Sequence, residues 1–419
     1  MTPVSTESSC PDSTGGGLQP YMPLSGKTVL LGVTGGIAAY KAADYSRLIR
    51  ALGARVVTVM TRNAAKFVTP VTFAALTGER VYTDLFDPNG LEEVPHITLA
   101  RAADLLLIAP ATANFLAKAG SGLADDLLST LLLAHAGPTI FCPAMNPQMY
   151  ANPATQANIE RLRAFGYGVV EPGSGDTACG EKGTGRLAEW PVVHEALLRA
   201  LTPQTLAGRV VVVSAGPTRE PIDPVRYISN RSSGIMGYAM AQVACRRGAT
   251  VRLVSGRVSL PPPPGPEVHN VQTATEMADA MGRLSQDADI VIMTAAVADY
   301  TPTQTAGQKI KKGIERMDLN LVRTPDILSD LVGRRRDGQV IVGFCAETQD
   351  LLGQALKKIR GKGVDLLIAN DVSQKDAGFD VPTNRVLIVS RNEEVESVPL
   401  LHKEAVAERI WDRIQGLLK

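Results

Sequence analysis

The feature that most constrains the fold is an alternation of short β-branched apolar runs with longer amphipathic segments, gone through twice along 419 residues. VLLGV (29–33) reads as a strand, and GIAAYKAADYSRLIRALG as a helix closed by Gly53. RVVTVMT, ADLLLIAPAT (103–112) and PTIFCPAMN follow as further strands. Runs that are apolar throughout belong to strands buried on both faces, and parallel strands joined by covering helices satisfy that demand.

The second half echoes the first. LSGKTVLLGVTGG at Leu24 recurs as LAGRVVVVSAGPT at Leu206, ALGARVVTVMTR as CRRGATVRLVSGR, and ADLLLIAPATA as ADIVIMTAAVA. Shared ancestry and the common demands of βαβ packing both explain the echo, and both imply two Rossmann-like α/β domains with mainly parallel sheets. The boundary is expected near TPQT (202–205), giving domains at 25–201 and 206–419. Residues 1–24, rich in Ser, Thr, Gly and Pro, are expected to be a disordered extension. SLPPPPGPEV (259–268) reads as a stiff connection, and DYTPTQTAGQKIKKG (299–313) as a functional flap.

A net charge of +1 gives no reason to expect nucleic acid or a membrane surface as partner. No apolar run approaches the ~18 residues of a membrane span, and the N-terminus lacks the pattern of a signal peptide. Five scattered cysteines without CxxC spacing read as free thiols in a reducing, cytoplasmic setting.

In the first half, VTGGIAAYK puts Gly35 and Gly36 at a strand-to-helix turn, suited either to a phosphate at the helix start or simply to a tight turn. Thr61, Arg62 and Asn63 end the second strand, and Thr112 and Asn114 end another, at the edge where open α/β sheets bind ligands. His96 is placed just before a helix, where a lone histidine by itself reads as a surface or core residue. Asn146 follows an apolar strand between Met145 and Met149. Cys179 sits among glycines in ACGEKGTGR, a composition suited to a flap carrying a thiol.

Residues 26–195 resemble the flavin-containing cysteine decarboxylases, specifically the phosphopantothenoylcysteine decarboxylases, through GGIAAYK, the HI pair at His96, APATANFLAK, PAMNPQMY and ACGEKGTGR. The resemblance implies a flavodoxin-like domain with FMN at the strand ends. The flavin takes hydride from the substrate's cysteine side chain, and the resulting thioaldehyde delocalises the electrons left as carbon dioxide departs. It also implies that His96 lies beside the reacting centre, Asn146 holds the substrate carboxylate, and Cys179 protonates the enethiolate.

In the second half, VVVSAGPTREPIDPVRYISNRSSGIMGYAMA (211–241) runs from a strand through a polar loop to a helix opened by Ser232, Ser233 and Gly234. Arg219, Arg226 and Arg231 add charge, and the pattern favours phosphate over a merely solvated loop. TAAVADY ends a strand at Asp299, with Lys309, Lys311 and Lys312 following, while Lys358 and Lys362 are one helical turn apart. Residues 206–419 resemble phosphopantothenate–cysteine ligases, and the two halves in this order resemble the bifunctional bacterial coenzyme A biosynthesis family. The resemblance implies a nucleotide-binding ligase domain that uses CTP and Mg²⁺ to turn the phosphopantothenate carboxylate into an acyl-cytidylate, which cysteine then opens. Asp299, Lys309, Pro325, Asp326, Ile327, Leu328, Phe344, Lys358 and Lys362 match the family's CTP contacts. Lys309 also matches the lysine that stabilises acyl transfer, Asn230 the residue that processes the acyl-cytidylate, and Arg226 one that meets the substrate phosphate. Ile235 stands where the family usually has lysine, leaving Arg231 as a substitute. Metal ligands are not assigned. The family further implies a homo-oligomer built from trimers.

Competing readings are a peptide-cysteine decarboxylase fused to an unrelated nucleotide-binding domain, a regulatory binding subunit, and a nicotinamide dehydrogenase. NRSSG, AAVADY and KIKK oppose the first, and His96, Asn146 and Cys179 in their motif positions oppose the second. Neither turn has GxGxxG with an acidic residue at the next strand end, which opposes the third.

Overall fold

The computed structural model describes residues 21–86, 95–176, 180–311, 317–373, 376–378 and 380–418. The first half begins with β1 (Thr28–Val33), α1 (Ala39–Ala51), β2 (Arg55–Met60), α2 (Pro70–Thr77) and β3 (Val81–Tyr82). It continues through α3 (Pro95–Ala102), β4 (Leu105–Ala111), α4 (Ala113–Ser121), α5 (Leu127–Ala134) and β5 (Thr139–Pro143). α6 (Pro147–Ala151), α7 (Pro153–Ala164), β6 (Gly168–Val169), β7 (Gly173–Asp176), β8 (Lys182–Arg186) and α8 (Trp190–Leu201) complete it. β1 to β6 form one parallel sheet in the order β3-β2-β1-β4-β5-β6, and β7–β8 is a separate antiparallel hairpin.

The second half opens with β9 (Val210–Ala215), β10 (Arg219–Pro221), β11 (Tyr227–Ser229), α9 (Ile235–Arg246), β12 (Thr250–Ser255) and β13 (Glu267–Asn270). Next come α10 (Ala274–Leu284), β14 (Ile290–Met293), β15 (Tyr300–Pro302), β16 (Leu321–Arg323) and α11 (Ile327–Gly333). β17 (Val340–Glu347), α12 (Leu351–Lys362), β18 (Leu366–Asp371), β19 (Thr383–Ser390), β20 (Val395–His402) and α13 (Lys403–Gln415) close the chain. The main sheet runs β13-β12-β9-β14-β17-β18-β19-β20, parallel up to β18 and antiparallel over its last two strands.

Both sheets reverse direction after their first strand, between β1 and β4 and between β9 and β14. Such reversals open the crevice at which doubly wound sheets bind ligands. The echoed sequences occupy equivalent places: β1 with β9, β2 with β12, and β4 with β14. Each parallel sheet is covered on both faces by helices, with separate apolar clusters above and below. β4 is buried along its whole length, as its uninterrupted apolar run requires.

Two sequence expectations are corrected. Order begins at least by Tyr21: Leu24 is buried and donates its N–H to the Leu52 carbonyl (2.9 Å), and the Tyr21 ring stacks on His402. Short apolar anchors inside a polar stretch suffice to hold it. The segment from Asp299 is not irregular from its start, because Tyr300–Pro302 pairs with Leu321–Arg323 in a two-stranded ribbon.

The halves meet at Arg246, only 2% exposed. Its guanidinium donates to Glu195 on α8 (2.9 and 2.6 Å) and to Glu404 on α13 (2.6 Å). Burial alone would raise the Glu195 carboxyl, but hydrogen bonds from His194 and Arg246 hold it at about 2. Arg246→Leu leaves two carboxylates without their shared cation and is expected to lower stability by about 3 kcal/mol in chemical denaturation; a loss below about 1 kcal/mol would remove the junction from the stabilising interactions. A depressed folded pKa stabilises fully above the ordinary carboxyl value and is lost as pH falls through the folded one. The stability advantage of wild type over Glu195→Gln is therefore expected to be complete above about pH 5 and to shrink toward pH 2. An advantage unchanged by acid would contradict this ion pair.

Candidate active sites at the two strand edges

At the first sheet's reversal point, β1 is followed by Thr34, whose hydroxyl donates to the Pro110 carbonyl (2.7 Å) and accepts the Thr112 N–H (3.0 Å). This locks the turns after β1 and β4 side by side. A Cβ on Gly35 would lie 2.4 Å from the Asn63 Cβ, so only glycine lets the turn after β2 close against it. A Cβ on Gly36 would sit 3.3 Å from Thr112. Gly35, Gly36, Asn63 and Thr112 are thus brought together at one carboxyl edge. No group among the described residues accepts the N–H of Gly35, Ile37 or Ala38. A tight turn and a set of free donors coexist here, which fits the phosphate of FMN.

Thr61 accepts the Ala64 N–H (3.3 Å), and Thr112 caps α4 through Phe115, leaving Asn114 exposed on its first turn. Both threonines therefore shape the edge as much as they offer donors to it. His96 lies within the first turn of α3, because Pro95 takes the initial helical position that favours proline. In a parallel sheet that turn stands at the carboxyl edge. The His96 Nδ1 is buried without a hydrogen-bond partner, an orphan that a ligand could satisfy.

Asn146 follows β5, in a segment joined to the end of β4 by the Ala144 N–H to Ala111 carbonyl bond (3.1 Å). Its amide oxygen caps α6 at Gln148 (2.8 Å), and its amide nitrogen donates to Glu181 (2.8 Å). The β7–β8 hairpin packs directly on this segment, since a Cβ on Gly185 would lie 2.3 Å from the Met145 carbonyl oxygen. Asn146 is thereby placed beneath the hairpin. Cys179 itself lies outside the described residues.

In the second half, a cavity of about 850 Å³ opens at the reversal point between β9 and β14. The start of α9 at Ser232, Ser233 and Gly234 forms one wall. α9 can lie so close because a Cβ on Gly237 would be 2.5 Å from both Ala215 and Thr294. Asn230 lines the cavity and donates to the carbonyls of Ala296 (3.3 Å) and Val297 (2.9 Å). Asp299 lines it from the segment between β14 and β15, Phe344 from β17, and Pro325, Asp326, Ile327 and Leu328 from the start of α11. Lys358 and Lys362 reach it from α12, paired with Glu347 (2.6 Å) and Asp326 respectively. Burial alone would lower the Lys358 ammonium, but the hydrogen bond to Glu347 raises it and keeps it charged. Ile235, at the usual lysine position, also faces the cavity.

Arg226 and Lys309 are not among the lining residues. Arg226 is held by the buried Asp223 (2.9 and 2.5 Å) and donates to the Ile310 carbonyl (2.8 Å), so it tethers the segment that carries Lys309. Lys312 lies outside the described residues.

Sequence reasoning missed Asn370, Asn384 and Lys403, which line the far end of the cavity. A signal for Lys403 existed. It shares the i, i+3, i+4, i+7 face of Val406, Ala407 and Ile410, a core stripe where lysine is out of place.

Residues 19–202 match the Flavoprotein family, and residues 206–418 the DNA/pantothenate metabolism flavoprotein C-terminal domain. The chain is 45% identical over 398 residues to the coenzyme A biosynthesis bifunctional protein CoaBC of Vibrio vulnificus (strain YJ016), covering 94% of this chain and 99% of that protein. Its identity to the CoaBC protein of Bacillus subtilis (strain 168) is 45% over 401 residues, covering 94% and 98%. A crystal structure of the C-terminal domain of a CoaBC protein is 40% identical, covers 51% of this chain and 97% of its own, and superposes with a TM-score of 0.44. Aligned over nearly its full length with the Vibrio vulnificus and Bacillus subtilis proteins, and matched in each half by one domain family, the chain belongs to the family of bifunctional coenzyme A biosynthesis proteins.

Proposed function

We propose that the chain joins phosphopantothenate to cysteine in its second half and decarboxylates the product to phosphopantetheine in its first. The observation that carries the reading is the 850 Å³ cavity. It gathers Asp299, Phe344, Lys358, Lys362 and the Pro325–Leu328 segment, which the family resemblance assigns to the nucleotide, together with Asn230, which it assigns to processing the acyl-cytidylate.

A carboxylate has no acceptable leaving group, so it is activated first. Its oxygen attacks the α-phosphorus of CTP, pyrophosphate leaves, and the cysteine amine then displaces CMP from the acyl carbon. The start of α9 offers N–H donors to phosphate, and Lys358 and Lys362 offset charge developing on pyrophosphate. Lys309 approaches on the segment that Arg226 tethers. Mg²⁺ binds through substrate phosphates plus one or two carboxylates, and Asp299 supplies a carboxylate at this cavity.

In the first half, Gly35, Gly36, Thr61, Thr112 and Asn114 would hold FMN at the strand edge. FMN, when bound, supplies the two-electron redox chemistry that lets carbon dioxide leave. His96 orients the reacting group, Asn146 binds the departing carboxylate, and Cys179 delivers a proton. Ile37, Tyr40, Phe67 and Val71 are exposed around this edge, apolar surface that a trimer-based homo-oligomer would cover. No helix among the described residues is long and apolar enough to cross a membrane.

Purified protein given phosphopantothenate, cysteine, CTP and Mg²⁺ is expected to yield phosphopantetheine, CMP and pyrophosphate by mass spectrometry. Cys179→Ser should stop short of phosphopantetheine while still releasing CMP. An absence of CMP and amide in the wild type would overturn the ligase assignment, and full phosphopantetheine formation by the variant would remove Cys179 from the proton step. Gly35→Ala pushes the turn away from Asn63 and is expected to weaken flavin retention about tenfold or more, read from flavin absorbance after dialysis. Unchanged retention would move the flavin away from this turn.

A further inference from the structure

The turn between β10 and β11 carries a charged residue, Asp223, that is only 2% exposed. Its carboxylate accepts five N–H groups, divided between the two oxygens. Oδ1 accepts the backbone N–H groups of Val225 and Arg226 (2.8 Å each) and closes the turn. Oδ2 accepts the Arg226 Nε–H and Nη2–H (2.9 and 2.5 Å) and, from a distant segment, the Ile310 N–H (3.2 Å). Arg226 in turn donates from Nη2 to the Ile310 carbonyl (2.8 Å).

One ion pair thus grips Ile310 by its N–H and its C=O at once. Two further bonds fasten the same segment to the same turn: the Ala306 N–H to the Ile222 carbonyl (3.0 Å) and the Thr305 hydroxyl to the Pro221 carbonyl (3.1 Å). The Arg226 guanidinium holds the Asp223 carboxyl well below the usual carboxylate range, so the clasp is charged at neutral pH. Lys309 shares a planar peptide unit with the Ile310 N–H, so the bond to Asp223 sets the backbone from which the lysine side chain departs. That side chain is exposed and has no hydrogen-bond or ion-pair partner among the described residues.

A carboxylate that only closed a turn would need Oδ1 alone. Oδ2 is spent on reaching 87 residues along the chain, to the residue beside an uncommitted ammonium. We infer that Asp223 is a positioning residue for the ligase reaction, acting through the Ile310 backbone to set where Lys309 reaches. The inference rests on the ligase reading above, in which Lys309 serves acyl transfer. Displacement of such a group by about an ångström costs up to a hundredfold in rate.

Asp223→Asn separates the two duties, because its amide oxygen can still close the turn while its NH2 cannot accept from Arg226 or Ile310. The test uses the full-length enzyme with saturating CTP, phosphopantothenate and cysteine, and follows amide formation by mass spectrometry. Asp223→Asn is expected to lower kcat about thirtyfold when Lys309 is present and less than about twofold in a Lys309→Met background, where nothing is left to position. An unchanged kcat, or the same fold-loss in both backgrounds, would overturn the inference and leave Asp223 as a strut of the turn. Trypsin gives a second readout: cleavage after Lys309 and Lys311 is expected to quicken about tenfold in Asp223→Asn, with the rest of the chain as resistant as wild type. This pattern decides the matter if Lys309→Met forms no measurable amide, and cleavage unchanged at these sites or quickened throughout would overturn the positioning role. If Asp223→Asn does not fold, Ile310→Pro removes the same hydrogen bond from the exposed segment, and an unchanged kcat there is the overturning result. A wild-type enzyme that forms no amide would instead overturn the ligase reading itself.

Discussion

Register between parallel strands decides which side chains stand at the carboxyl edges, and an aspartate sets it at three places. Asp104 donates its N–H to the Thr28 carbonyl and accepts the Thr28 N–H on its carboxylate (2.9 and 2.8 Å). Asp289 does the same with Val210 (2.8 and 2.8 Å), and Asp365 with Ile341 (2.9 and 2.8 Å). Lys27, Arg209 and Arg335 neutralise the three carboxylates. A slip of one residue would reverse every side chain of a strand. These clamps sit at the opposite end of the sheet from the sites and so fix the phase with which β1, β4, β9, β14, β17 and β18 reach them. The Asp104 carboxyl is held below its ordinary range by the Thr28 N–H first and Lys27 second, so the clamp is charged at neutral pH.

With register fixed, backbone approach does the rest. Gly35 lets two turns touch in the first half, and Gly237 lets a helix start lie on the sheet in the second. In both, the close approach falls at the place where strand order reverses, so one architecture provides two ligand crevices from different local sequences. The specific chemistry comes from what each half adds: the hairpin lying on Asn146 in the first, and α11, α12 and α13 in the second.

Much of this was legible in the sequence, because continuous apolar runs and glycine-bearing turns are local signals. The echo between Leu24 and Leu206 implied two Rossmann-like domains, and both sheets indeed share the order of their first strands. Contacts between distant segments were not legible. Nothing near Arg226 reveals that Asp223 and Ile310 engage its guanidinium, and nothing in PAMNPQMY names Glu181 as the partner of Asn146. Tyr21 looked like part of a polar tail because its stacking partner, His402, lies at the far end of the chain. Asn370 follows the apolar run of β18, and nothing in the sequence shows that its oxygen is buried.

α13 brings these scales together. Its first residue, Lys403, lines the ligase cavity, and the next, Glu404, takes part in the Arg246 cluster that reaches Glu195 in the other half. Trp411 anchors the same helix by donating to the Met240 carbonyl on α9 (2.9 Å), and Arg247 at the end of α9 pairs with Glu408 and Asp412. The start of α9 and Lys403 of α13 both line the cavity, so two of its walls are bolted to one another. A buried ion pair that loses one partner is expensive, and closely packed helices do not deform continuously. Relative movement of the two halves must therefore either break the Arg246 cluster or carry α13 with it, and in the second case it displaces a wall of the ligase cavity.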